Sequence, residues 1–97
     1  MSRHVIDFDD DYKLEGELLS SDAIMLHFNT DPAEWGLTQY KFFLARWTYI
    51  LEELKSRGII EVFSIVDKEE RVMKFQTMFG MVPLIEMNNA IVYRRFT

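Results

Sequence analysis

The stretch Val66-Asp67-Lys68-Glu69-Glu70-Arg71-Val72-Met73-Lys74-Phe75-Gln76-Thr77-Met78-Phe79-Gly80-Met81 leaves an apolar run, crosses an acidic turn and enters an amphipathic segment that stops at a glycine. Asp67 followed by Glu70 has the spacing of a capping box, in which side chains satisfy free N–H groups at a helix start. Val72, Phe75, Met78 and Phe79 recur at three and four residues, which gathers them on one helical face. Gly80 stands where a helix meets its terminating residue. Just before this stretch, Ile59 to Val66 is a β-branched run that suits a buried strand. Just after it, Met81–Met87 and Ala90–Phe96 flank Asn88-Asn89, two residues that tolerate left-handed backbone, and this predicts a closing β-hairpin. Pro83 has no N–H to offer a neighbour, so its strand belongs at an edge or a bulge.

Toward the N-terminus, Asp31-Pro32-Ala33-Glu34 sets an N-cap acid, a proline at the first helical position and a glutamate at the capping-box position. A helix therefore begins there or just beyond Gly36. Tyr40, Phe43, Leu44, Trp47, Ile50, Leu51 and Leu54 give it one broad apolar face out to about Arg57. Lys55 and Arg57 suit its negative end, and Gly58 its stop. Before it, Ala23-Ile24-Met25-Leu26-His27-Phe28 is apolar nearly throughout, the pattern of a central strand covered on both faces. Tyr12–Leu19 reads either as a hairpin partner of that strand or as a short helix. Ile6 and Phe8 alternate with Asp7 and Asp9, which predicts a short half-buried strand from about Val5. The order is strand-strand-strand-helix-strand-helix-strand-strand, an α/β class fold with a mixed sheet of the α+β kind. The connection through the long helix can join Ala23–Phe28 to Ile60–Val66 as parallel neighbours.

With 97 residues, 48% of them hydrophobic and 28% charged, the chain suits one domain spanning residues 1–97. A chain this short buries only about 65% of its unfolded surface, so partner contacts are expected to supply part of its stability. No stretch approaches the roughly 18 uninterrupted apolar residues of a membrane span, and residues 1–11 carry four acids where a secretory signal has an apolar core. A soluble cytoplasmic protein is expected. The absence of cysteine excludes disulfides and thiolate chemistry, and two histidines, His4 and His27, make a metal site unexpected. Residues 1–34 hold nine acids against Arg3 and Lys13 and sum to −7, whereas residues 35–97, with seven acids and nine bases, sum to +2. Such an acidic first third repels phosphate backbones, which argues against nucleic acid as a partner. Asp9-Asp10-Asp11 reads as a solvated acidic turn.

From Asp22 onward the order resembles the C-terminal half of the GNAT acyl-CoA N-acetyltransferase fold. The resemblance is carried by Val66–Met81, which is similar to the family's second-helix signature, and by Ala90-Ile91-Val92-Tyr93-Arg94-Arg95-Phe96 after it. It covers about three-quarters of the chain and is similar in feel to small GNAT-like proteins of tailed phages. The resemblance implies acetyl-CoA as cofactor for an enzymatic reading and no cofactor for a non-catalytic one. It places CoA contacts on Phe28 and Asn29 at a strand end and on Trp35, Gly36, Leu37 and Thr38 at the turn that faces the pyrophosphate. That turn departs from the family pattern. In Ala33-Glu34-Trp35-Gly36-Leu37-Thr38 only Gly36 matches, and Glu34 adds a negative charge. The family's proton-donating tyrosine is replaced by Gln76, whose amide cannot protonate a thiolate. Glu69 stands where an asparagine is common and Val72 where an alanine is common. Little of the family's N-terminal half is present.

His27 shares a strand face with Met25 and Asn29, and imidazole exchanges protons near neutral pH, as a general base must. The competing reading is a hydrogen-bonded strand histidine. Trp47 lies on the apolar helical face as core, and Trp35 is open between a core plug and a contact residue. The methionines suit gap filling in a small core. Two functional readings follow. In one, the shortened domain is a non-catalytic interaction or structural protein that binds a protein partner or itself. In the other, it is a minimal acetyl-CoA-dependent N-acetyltransferase with His27 and Gln76 at its catalytic positions. A nucleic-acid mimic, suggested by the acidic segment alone, is a third.

Overall fold

A computed structural model of the chain describes residues 3–10, 12–29 and 35–97. Its elements are β1 (His4–Phe8), β2 (Lys13–Ser20), β3 (Ala23–Asn29), α1 (Leu37–Ser56), β4 (Glu61–Asp67), α2 (Glu70–Met78), β5 (Val82–Glu86) and β6 (Ala90–Phe96). The strands form one mixed sheet in the order β1-β2-β3-β4-β6-β5. β3 and β4 are parallel, as the long connection requires, and every other pair is antiparallel. Tyr12–Leu19 resolves as strand, and β1 forms where the alternation placed it.

Strand alternation decides which side is core. Leu14, Ile24, Leu26, Val62, Ile91 and Tyr93 all turn to the face on which both helices lie, and there they join Phe43, Trp47, Ile50, Leu51, Phe75 and Phe79 in one core. Aromatic rings dominate it, with Phe43 in edge contact with Phe79 at 5.1 Å and Phe75 with Phe79 at 4.6 Å. The Phe79 carbonyl, at the end of α2, accepts from Trp47 Nε1 at 2.9 Å and from Arg95 Nη1 at 2.8 Å. These two donors join α1, α2 and β6 through a carbonyl that a helix end would otherwise leave unpaired. Across the sheet edge, Arg46 of α1 forks onto the Asp7 carboxylate of β1, Nη2 at 2.6 Å and Nε at 3.2 Å, and the Tyr12 hydroxyl donates to the same group.

Several sequence expectations are corrected. Ala23–Phe28 is central in the sheet, but among the described residues no helix covers its second face, where Met25 and His27 are only half-buried. β4 begins at Glu61, because Ile59 belongs to the α1 stop: its N–H donates to the Leu54 carbonyl past Gly58, whose φ is +87°. The Asp67/Glu70 capping box does not form. Asp67 stays in β4, paired with Ala90, and Glu69 becomes the N-cap of α2 without a side-chain cap. Met78 and Leu44 are half exposed, at 48% and 49%, since each lies at the margin of its helix's buried arc. On α2 the place beside Phe75 is taken by Gln76. Asn88 and Asn89 turn the hairpin without left-handed backbone, for the described residues other than glycine include none with positive φ. Pro83 sits on the edge strand at a register shift, as its missing N–H requires. The Asp31 helix start lies outside the described residues; the helix is seen from Leu37, just beyond Gly36.

Candidate functional site

Parallel strands β3 and β4 share a ladder from Ala23 and Glu61 as far as Leu26 and Ser64, yet they run on to Asn29 and Asp67. Past Leu26 and Ser64 they splay. A cleft of about 260 Å³ opens between them and crosses the sheet. Its walls come from both sides: Leu26, Phe28 and Ser64 from the helix face, and His27, Asn29 and Ile65 from the open face. Gln76 of α2 closes the helix side.

At the open mouth, His27 Nε2 lies 3.3 Å from Glu17 Oε1, with the imidazole 19% exposed. A carboxylate at that distance accepts from Nε2–H and orients the ring. Beside it, Asn29 Nδ2 donates to Glu15 Oε1 at 2.8 Å. Inside, Ser64 Oγ donates to Gln76 Oε1 at 2.6 Å, and both side chains are buried. The bond satisfies the Ser64 hydroxyl proton and the Gln76 carbonyl oxygen.

Four of the expected site residues, His27, Phe28, Asn29 and Gln76, thus meet in one cleft. The other four do not join it. Trp35 packs half-buried against Tyr12, Phe28, Tyr40, Phe43 and Phe75, which favours its reading as a core plug. Gly36 is the N-cap of α1, while Leu37 and Thr38 are exposed in its first turn. The Gly36 N–H donates to Gln39 Oε1 at 3.0 Å, so one amide that would face a phosphate is already paired inside the chain. Leu37–Tyr40 holds no basic side chain. With that amide paired and no base beside it, the start of α1 offers a phosphate only a weak grip.

Two site residues escaped the sequence reading. Glu17 comes to His27 only because β2 pairs antiparallel with β3, which places it one step diagonal from the His27–Glu15 pair. Ser64 had a signal, as the lone hydroxyl in the apolar Ile59–Val66 run. The shifted titrations lie elsewhere. Burial pushes the Asp7 carboxyl up, but the Arg46 guanidinium and the Tyr12 hydroxyl outweigh it and hold the group below its ordinary 3.8. Burial and the neighbouring Asp7 charge push the Tyr12 phenol up. Among the described residues no group of histidines and acids has the arrangement of a metal site.

No protein-family model and no curated protein sequence matches the chain. Solved structures do. The Campylobacter jejuni N-acetyltransferase PseH, in complex with acetyl coenzyme A, superposes with a TM-score of 0.68 at 13% identity, over 93% of this chain and 64% of PseH. Ard1 from Thermoplasma volcanium gives 0.70 at 14% identity, over 90% of this chain and 63% of its own. The GNAT domain of S. lividans PAT gives 0.68 at 11%, over 90% and 54%. At such identities the likeness is one of fold. The chain has the GNAT acetyltransferase fold and spans less than two thirds of these neighbours.

Proposed function

We propose that the chain holds an acyl thioester in the splay between β3 and β4 and passes the acyl group to an amine that reaches His27 from the open face. The observation that carries this is the cleft itself, which crosses the sheet with a histidine–carboxylate pair at one mouth. An acyl-CoA supplies, when bound, a carbonyl activated towards amines. The chain's own groups do the rest. Main-chain groups of β3 beyond Leu26 and of β4 beyond Ser64 lie outside the ladder, so those turned to the splay are available for hydrogen bonds. Phe28 and Val66 narrow the passage and exclude water, which strengthens any polar contact made there. Glu17 offers a cationic acceptor one carboxylate at the amine mouth, while Arg3 and Lys13 offset the remaining acidic charge there. His27, steadied by Glu17, takes the proton that the amine sheds at Nδ1. Gln76 cannot return a proton to the departing thiolate, so solvent protonates it.

Calorimetry with acetyl-CoA, run beside an acetyl-transfer assay on a small primary amine, tests this. Wild type binds, and His27→Gln keeps binding within twofold but loses about 10²- to 10⁴-fold in turnover. Absence of heat at millimolar acetyl-CoA overturns the proposal.

A second reading is supported by a different observation. The open sheet face carries exposed Val5, Ile65 and Phe96, and all five residues of edge strand β5 are exposed. A non-catalytic contact or structural domain, of the kind the resemblance to small phage proteins implies, would cover that face with a protein partner or a second copy. Sedimentation showing a monomer at high concentration counts against self-association.

A further inference from the structure

The helix-side half of the cleft is roomier and more apolar than an acetyl group needs. Leu26, Phe43, Trp47, Phe75, Phe79 and Met81 wall it. Of its two polar side chains, the Ser64 hydroxyl is spent on Gln76 Oε1 at 2.6 Å, so apart from the Gln76 amide N–H groups the wall is hydrocarbon. The polar groups of the cleft, Arg3, His27 and Asn29, gather at the other mouth. An apolar cavity of about 150 Å³ already accepts a benzene ring, and the whole cleft, its polar mouth included, measures about 260 Å³. A two-carbon acyl group at the splay would leave the helix-side aromatic walls to water, which apolar surface disfavours.

Resting on the reading that a thioester lies in the splay, we propose that the preferred acyl group is a medium-length apolar one of about six to eight carbons, straight-chain or aryl, with its tail between α1 and α2. The thioester carbonyl then sits at the splay, near His27, and the tail runs past Ser64 toward Trp47. No further reactant is required, because chain length changes the fit of the group and leaves the transfer as it is.

The test is a binding series with acetyl, butanoyl, hexanoyl and octanoyl thioesters of N-acetylcysteamine, which carry no nucleotide and so bypass the phosphate grip. Trp47 fluorescence and calorimetry read it out, beside acetyl-CoA on the same sample. Each methylene buried in the cleft should tighten binding about 4-fold up to hexanoyl. Val72→Trp fills the cleft from α2 and should abolish this chain-length gain while leaving acetyl binding in place, with a thermal melt to confirm folding. If acetyl-CoA binds but the series is flat in wild type, the medium-chain inference fails and the thioester reading stands. If the gain persists in Val72→Trp, the tail lies on another apolar surface, and the inference fails. If neither acetyl-CoA nor any thioester binds, both fall. The wild-type series decides the matter should Val72→Trp not fold.

Discussion

Replacing Gly80 by alanine should be far more damaging than replacing Gly58, although both glycines have left-handed backbone, at φ +77° and +87°. Left-handed conformation costs an alanine about 1–2 kcal/mol wherever it occurs. At Gly58 that is the whole cost, because an added Cβ meets nothing within 4 Å. At Gly80 the same Cβ would lie 1.8 Å from Arg95 Nη1 and 2.9 Å from Arg95 Cζ. The guanidinium must leave, and it takes with it the 2.8 Å bond to the Phe79 carbonyl. A hydrogen bond from a charged donor is worth about 1.5–3 kcal/mol, while Trp47 Nε1 remains on that carbonyl and limits the loss. The expected costs are therefore about 1–2 kcal/mol for Gly58→Ala and about 3–4 kcal/mol for Gly80→Ala. In a domain of this size they correspond to melting shifts of roughly 5–10 °C and roughly 15 °C or more. Urea unfolding and thermal melts of both variants measure the gap directly. Placing Gly80→Ala on an Arg95→Met background should shrink its cost to that of Gly58→Ala. Equal losses for the two alanine variants in the wild-type background would refute the reasoning, since they would show that Arg95 is not held over Gly80.

The Asp7 group predicts a pH window. Its folded-state value is depressed, so its contribution is complete above the ordinary 3.8 and is lost as the pH falls below that through the lower folded value. Tyr12 is raised, so its contribution is lost as the pH rises above its ordinary 10.0. Urea midpoints of wild type and Asp7→Asn should therefore differ at pH 7 and start to converge only as the pH falls below the ordinary 3.8; a difference that persists undiminished in strong acid would rule the ion pair out as its source. At the helix start, Gln39→Lys frees the Gly36 N–H and adds a cation, and should tighten acetyl-CoA binding severalfold at low salt, with the gain fading as salt rises. Unchanged affinity in calorimetry would show that no phosphate approaches α1.

Much of this fold is legible in the chain because its signals are local. The α1 face, its stop at Gly58 and the edge position of Pro83 each follow from residues within one or two turns of the feature. Where the reading failed, a distant partner had intervened. Asp67 looks like a cap in isolation, but pairing with Ala90 keeps it in β4. Leu44 and Met78 fit a helical apolar pattern, yet only one sheet face is available to two helices, and the packed arc is narrower than the pattern. Tyr12–Leu19 was ambiguous because Glu15, Gly16 and Glu17 interrupt its apolar pattern, and antiparallel pairing with β3 makes it a strand.

The candidate site divides in the same way. His27 and Gln76 are visible in the sequence as an unusual histidine in an apolar strand and an amide at a notable helix position. Their meeting in one cleft, and the pairing of Glu17 with His27 and of Ser64 with Gln76, are not. The sequence alone determined which segments from Ala23 onward are helix or strand and that an acidic first third precedes a nearly neutral remainder, because periodicity, caps and charge act over a few residues. Only the tertiary structure decided that β3 and β4 part after Leu26 and Ser64, that both helices share one face, and that a cleft therefore crosses the sheet. Ladders and packed rings join residues tens of positions apart, and the free energy that sets those pairings belongs to the assembled fold.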